Sequence, residues 1–297
     1  MANSVAPVGP LVSADWLMAH LGEPQLAVVD CRWRLGQPGD GRRAYEAGHV
    51  PGAAFLDLDE DLSAPPGDGR HPLPDPPAFA AACARAGIAA DSQVVAYDGA
   101  GEGGAVRLWW LLRHFGHPAA AVMDGGMGAW RAAGGALEPG GPEPAGPGTS
   151  ARQPAPFTPF VPHPRSDDVA GAEEIAARGA ELDLVDARSP ERFRGEVEPV
   201  DPVAGHIPGA GNVPFTELAP AGRYLPPDRL RELLAADPDR ELVAYCGSGV
   251  TSASVILAAE LAGLQPARLY PGSWSQWCAR GLPADSVPTA RDDEERD

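Results

Sequence analysis

Runs of apolar and β-branched residues recur along the chain at positions 26–30, 93–97, 182–186 and 241–245, each continuous rather than alternating with polar residues. A strand buried on one face alternates, whereas a continuous run fits a strand covered on both faces, as in a parallel sheet. Longer stretches with helical spacing separate them, at 76–86, 105–115, 228–236 and 250–262, the last stopping at Gly263, a residue suited to a helix C-terminal cap. Strand and helix in alternation predict an α/β fold of mostly parallel sheets with helices on both faces. In such folds the loops that carry chemistry gather at the carboxyl ends of the strands.

The pattern occurs twice. In the first half, Ala27-Val28-Val29-Asp30 is followed by Gly48-His49-Val50-Pro51-Gly52-Ala53, Val94-Val95-Ala96-Tyr97-Asp98-Gly99 and Asp124-Gly125-Gly126-Met127. In the second, Leu184-Val185-Asp186 is followed by Gly205-His206-Ile207-Pro208-Gly209-Ala210, Leu242-Val243-Ala244-Tyr245-Cys246-Gly247 and Pro271-Gly272-Ser273-Trp274. Two tandem domains are therefore expected, 1–140 and 165–297, joined by a Pro/Gly-rich linker over 141–164 that lacks any apolar period. A second Pro-rich stretch, 64–77, reads as an excursion between elements of the first repeat.

At 297 residues, each half is long enough to bury its own core, and 44% hydrophobic with 22% charged residues is ordinary for a globular protein. Charge narrows the function. Against 41 acidic residues stand 23 basic ones, all arginine, for a formal charge of −18. An acidic chain without basic runs repels nucleic acid and anionic lipid, so neither is an expected partner. Residues 1–10 lack a basic segment followed by an apolar run, and no stretch is long and apolar enough to span a membrane, so the expected location is cytoplasmic. The four cysteines, Cys31, Cys83, Cys246 and Cys278, show no metal-ligand or redox-pair spacing, so no metal is expected, and no organic cofactor is evident in the sequence.

Cys246 alone has surroundings that suggest reactivity. It ends a strand, and Gly247 and Gly249 in Cys246-Gly247-Ser248-Gly249-Val250-Thr251-Ser252 let successive backbone N–H groups turn toward a common centre before a helix begins. Such a nest favours a thiolate, the form in which cysteine is a nucleophile. The repeat supplies a control: Asp98 stands at the Cys246 position, followed by Gly99-Ala100-Gly101-Glu102-Gly103-Gly104, so one copy has a thiol and the other does not. A Cys-x5-Arg phosphatase loop is excluded, because the sixth residue after Cys246 is Ser252.

The segments Tyr45-x-x-x-His49-Val50-Pro51-Gly52-Ala53, Cys246-Gly247-Ser248-Gly249-Val250-Thr251 and Tyr270-Pro271-Gly272-Ser273-Trp274 resemble the motifs of rhodanese-family sulfurtransferases, and the resemblance covers nearly all of both halves. It implies two tandem rhodanese-like domains, the second catalytic, and a ping-pong reaction. In that reaction Cys246 takes a sulfane sulfur from a small anionic donor, becomes a persulfide, and passes the sulfur to a thiol such as thioredoxin or glutathione, or to cyanide. The neutral Cys246 loop is similar to that of 3-mercaptopyruvate enzymes, whereas thiosulfate enzymes tend to carry basic side chains there. By the same resemblance Ser248, His49 and Asp40 form a proton relay, and Arg192 joins Gly247, Gly249, Val250 and Thr251 in binding the donor; Arg188 is grouped with them, with pairing to a nearby acid that orders its turn as the other reading, and for His49, whose repeat counterpart is His206, a role in the turn is the alternative. One departure keeps thiosulfate open: where mercaptopyruvate enzymes usually have a second arginine, this chain has Val200. A non-enzymatic module that delivers or senses sulfur is the alternative; sulfur added covalently to Cys246 separates the two.

Overall fold

A computed structural model describes residues 9–140 and 158–286. The larger part of the expected linker, 141–157, lies outside the described residues.

The chain forms two compact units. The first comprises Met1–Ala64, Leu73–Arg165 and Ala221–Tyr224. Its elements run β1 (Leu11–Val12), α1 (Ala14–His20), β2 (Leu26–Asp30), α2 (Asp40–Ala47), β3 (Ala54–Phe55), α3 (Pro76–Arg85), β4 (Gln93–Tyr97), α4 (Gly104–His114), β5 (Ala120–Met123) and α5 (Gly126–Ala132). The sheet is parallel throughout, ordered β1-β5-β4-β2-β3. Every residue of β4 is buried, which is why its sequence shows no alternation. Leu17, Val28, Val95, Tyr97, Met123 and Trp130 share one core. The described end of the expected linker is held to this unit: the Ala90 N–H donates to the Thr158 carbonyl, the His163 N–H donates to that of Phe115, and Phe160 packs edge-on against Phe79.

The second unit comprises Pro65–Pro72, Ser166–Pro220 and Leu225–Asp297. It contains α6 (Ala172–Arg178), β6 (Leu182–Asp186), α7 (Pro190–Arg194), β7 (Gly211–Asn212), α8 (Phe215–Leu218), α9 (Pro227–Leu234), β8 (Glu241–Tyr245), α10 (Ala253–Leu261), β9 (Arg268–Leu269) and α11 (Ser273–Ala279). Its sheet is again parallel, ordered β7-β6-β8-β9, over a core that includes Ile175, Leu184, Val243, Tyr270, Trp274 and Trp277. The four long strands fall where the apolar runs place them. Part of the 64–77 excursion does not: residues 65–72 pack with the second unit, and residues 221–224 pack with the first.

One polar frame is built twice. In the first unit the Tyr97 hydroxyl donates to Asp30 at 2.8 Å and accepts from the Val50 N–H, while Arg32 pairs with Asp30 at 2.6 Å and donates to the Gly48 carbonyl. In the second unit the Tyr245 hydroxyl accepts from the Ile207 N–H, and Arg188 pairs with Asp186 at 2.6 Å and donates to the Gly205 carbonyl. Both frames tie the turns at 48–50 and 205–207 to the last residue of the central strand, Tyr97 or Tyr245, directly before Asp98 and Cys246. Among the described residues no helix is long and apolar enough to cross a membrane.

Candidate active site

Cys246 follows β8 directly, and its backbone is fastened before its sulfur is considered. Its N–H donates to the Ser273 hydroxyl at 3.1 Å, and its carbonyl accepts from the Trp274 N–H at 3.0 Å; the Gly247 carbonyl accepts from the Ser275 N–H at 2.9 Å. The loop then turns back at Gly249, where φ is +77° and a Cβ would lie 2.3 Å from the Pro271 carbonyl oxygen, so no other residue fits. This turn aims the Gly249 N–H at the Cys246 sulfur, 3.2 Å away.

Residues 250–252, expected as the start of the following helix, are instead a turn, and α10 begins at Ala253. The turn keeps the Ser252 and Thr251 groups beside the sulfur. Burial alone would push the Cys246 thiol up; the hydroxyls of Ser252 and Thr251 and the backbone N–H groups of Ser248 and Ser252 outweigh it, and its pKa falls below the ordinary thiol value. Ser252 Oγ is buried with no partner in hydrogen-bonding geometry, although its hydroxyl is the first of the groups that lower the Cys246 pKa against burial.

The other three thiols point the opposite way. Burial, reinforced by Asp30 and Asp98, raises Cys31 well above its usual value; burial pushes Cys83 up to about 12 and Cys278, beside Asp201, up to about 11. In the first unit the same nest is filled by a carboxyl group. Asp98 accepts from the N–H groups of Gly101, Gly103 and Ala105 at 2.9, 3.1 and 3.3 Å, and its carbonyl accepts from Met127 as that of Cys246 does from Trp274. Two copies of one loop thus gather amide donors around one acceptor, a carboxyl in one and a sulfur in the other, and burial pushes the pKa of the Asp98 carboxyl up.

Of the expected relay, Ser248 is in the Cys246 loop and buried, and its hydroxyl is 2.7 Å from a histidine Nδ1. That histidine is His71, not His49. His49 stacks on Tyr45 at 3.9 Å between ring centroids, with Nδ1 on the Tyr45 carbonyl. Its repeat counterpart His206 stacks on Phe193 at 3.8 Å, with Nδ1 on the Phe193 carbonyl. The shared geometry assigns both rings to the turn. Asp40 is at the start of α2 beside Arg43 and Arg34, at 3.3 and 3.8 Å.

A signal for His71 exists in the repeat. Gly69-Arg70-His71 in the first copy corresponds to Gly222-Arg223-Tyr224 in the second, so an imidazole stands in one copy against a phenol in the other, as Cys246 stands against Asp98.

Arg192 faces the loop: its Nη1 would lie 3.5 Å from a Cβ on Gly247. It is held by Glu198, at 2.7 Å, and by Asp201, at 3.1 Å. Burial opposes the Glu198 charge, but Arg192 and the N–H groups of Asp201 and Val200 more than offset it and bring its pKa below the ordinary range. Arg188 has no such freedom. Only 2% of its side chain is exposed, it pairs with Asp186 and Glu198, and it lies 4.8 Å over the Trp274 ring. Since Arg32 does the same work in the first unit, Arg188 is part of the frame rather than a donor ligand. Val250 is buried, while Thr251 is partly exposed with its hydroxyl toward the sulfur. Among the described residues no group of His, Cys, Asp and Glu is arranged to hold a metal ion.

The Rhodanese-like domain description matches residues 13–133 and again 171–280. The chain belongs to the rhodanese family. A Pseudomonas aeruginosa protein named "Probable 3-mercaptopyruvate sulfurtransferase" is 46% identical over 278 residues, covering 90% of this chain and 94% of its own. A Mycobacterium tuberculosis protein named for thiosulfate sulfurtransfer, SseB, is 43% identical over 272 residues, covering 88% and 90%. The crystal structure of SseA from Escherichia coli, described as a 3-mercaptopyruvate sulfotransferase of rhodanese fold, superposes with a TM-score of 0.78 at 32% identity, covering 90% of this chain and 99% of that one. Sulfur transfer, the activity expected from the sequence, is the activity for which these near-full-length rhodanese relatives are named, and the chain is a sulfurtransferase of that family.

Proposed function

We propose that the enzyme moves the sulfur of 3-mercaptopyruvate to a thiol or to cyanide through a persulfide on Cys246. The observation that carries this reading is the Cys246 sulfur itself, which receives the Gly249 N–H at 3.2 Å and alone among the four thiols is made more acidic by its surroundings.

The Cys246 thiolate attacks the donor sulfur, forming the S–S bond as the C–S bond breaks. The bonding pair leaves with carbon as the enolate of pyruvate. That carbon needs one proton, and the net proton source is the donor thiol, whose loss leaves the new persulfide anionic. Ser248, backed by His71 at 2.7 Å, is the group that moves it, because a hydroxyl held on an imidazole can give a proton and regain one without becoming a free alkoxide. The anionic persulfide stays under the amides that held the thiolate until an acceptor thiolate, such as that of glutathione or thioredoxin, or cyanide removes the outer sulfur. No electron leaves the system and no cofactor is required. Four unpaired thiols fit a reducing compartment such as the cytoplasm.

Incubation with 3-mercaptopyruvate in the absence of acceptor, followed by mass spectrometry of the intact protein and its peptides, tests the reading. The expected gain is one sulfur, about 32 Da, on the Cys246 peptide and none on Cys246→Ser. Turnover that survives Cys246→Ser would end it.

A further inference from the structure

The donor must be held as well as attacked, and the sequence leaves a gap at Val200, whose side chain is exposed and carries no charge. We infer that Arg70, from the loop 65–72, supplies the missing cation and forms with Arg192 a two-armed clamp for the carboxylate of the sulfur donor. This rests on Cys246 being the sulfur carrier and adds what recognises the donor.

Arg70 is placed by three contacts. Its backbone N–H donates to the Ser275 hydroxyl at 3.1 Å, near the start of α11, and its Nη1 donates to Asp201 Oδ1 at 2.5 Å. Its Nη2 reaches the Cys246 loop, where a Cβ on Gly247 would lie 2.8 Å from it and 3.5 Å from Arg192 Nη1. The two guanidiniums therefore meet the same point, one residue from the sulfur. Asp201 is what lets them approach each other: Oδ1 takes Arg70, and Oδ2 takes Arg192 at 3.1 Å.

The nitrogens left over define the ligand. Arg70 Nη2 and Arg192 Nη1 have no hydrogen bond among the described residues, and Arg70 Nε is buried without a partner. One N–H from each arm matches the two oxygens of a single carboxylate. Charge balance selects the same class. The cations Arg70, Arg188 and Arg192 are already met by Asp186, Glu198 and Asp201, and the Cys246 thiolate adds a negative charge nearby. A dianion such as thiosulfate finds no net positive charge there, while a 3-thio-2-oxo acid brings one carboxylate to two waiting donors. The cation that related loops place at the Val200 position enters here from another segment of the chain.

Steady-state kinetics with 3-mercaptopyruvate and with thiosulfate, at saturating acceptor, test this on the full-length enzyme with Arg70→Ala, Arg70→Gln and the double variant Arg70→Ala/Val200→Arg. Loss of a charge-assisted contact predicts a KM for 3-mercaptopyruvate raised about 10- to 100-fold in both single variants, with kcat nearly unchanged. In the double variant an arginine returned at the exposed position 200 restores most of the loss, which repair of folding alone would not do. A KM within about 2-fold of wild type in Arg70→Ala, or a double variant no better than the single one, overturns the clamp while leaving the Cys246 persulfide intact. A wild-type enzyme that gains no sulfur on Cys246 removes both readings.

Discussion

Replacing Ser252 by alanine separates what holds the Cys246 loop together from what makes its sulfur reactive. Ser252 Oγ is buried and has no partner in hydrogen-bonding geometry, yet its hydroxyl leads the groups that lower the Cys246 pKa against burial. The neutral protein loses nothing when it is removed; the thiolate loses a donor. A hydrogen bond to a charged group contributes about 1.5–3 kcal/mol, so in Ser252→Ala the Cys246 pKa should rise and kcat/KM at neutral pH should fall by about 10-fold or more. The sign extends to stability. A thiol whose folded pKa is depressed adds stability that is fully present above its unfolded pKa, about 8.5, and is lost as pH falls through the folded value. Ser252→Ala should therefore match or exceed wild-type stability at neutral to acidic pH and give up part of that gain in alkali. The assay is ultraviolet absorbance of the thiolate titrated against pH, taken as the difference from Cys246→Ser, beside thermal melts and kcat/KM across the same range. Activity should fall at neutral pH and recover in alkali, following the displaced titration. An unmoved titration, or activity lost equally at every pH together with a lower Tm, would refute the role given to this hydroxyl.

Two further outcomes follow from the geometry. His71→Ala and Ser248→Ala should each lower kcat with 3-mercaptopyruvate by about 10²- to 10⁴-fold, and the double variant should be scarcely worse than either, because one proton path is cut in each case; additive losses in rapid-quench measurements would show that the two act separately. Arg188→Ala should destabilise the protein by about 3–5 kcal/mol in urea unfolding, since it strands the buried Asp186 carboxylate, and should leave the KM of whatever enzyme folds near wild type.

What the sequence showed depended on how local its cause was. Strands β2, β4, β6 and β8 were legible to the residue because both their faces are buried, and burial writes a continuous apolar run. The two-residue strands β1, β3, β7 and β9 leave no such trace, since their pairing is decided by neighbours distant in sequence. The nearness of Ser248 to Cys246 was readable because both lie in one loop, and the segment that carries Arg192 was readable by its own motif. His49 shows how one motif carries two readings: its turn stacks the ring on Tyr45, and the counterpart turn stacks His206 on Phe193. His71 and Arg70 act 177 and 131 residues along the chain from Ser248 and Asp201, a pairing that local pattern cannot express. The copy-to-copy contrast of His71 with Tyr224 was the one available clue.

The loop Pro65–Pro72 belongs by chain to the first repeat and by packing to the second unit. A gene fragment encoding only residues 165–297 would keep the nucleophile and lack both Arg70 and His71. With the roles proposed for Arg70 and His71, either half expressed alone is chemically incomplete. Attempts to miniaturise this catalyst should graft that octapeptide onto the carboxyl-terminal portion rather than simply trim the amino-terminal one.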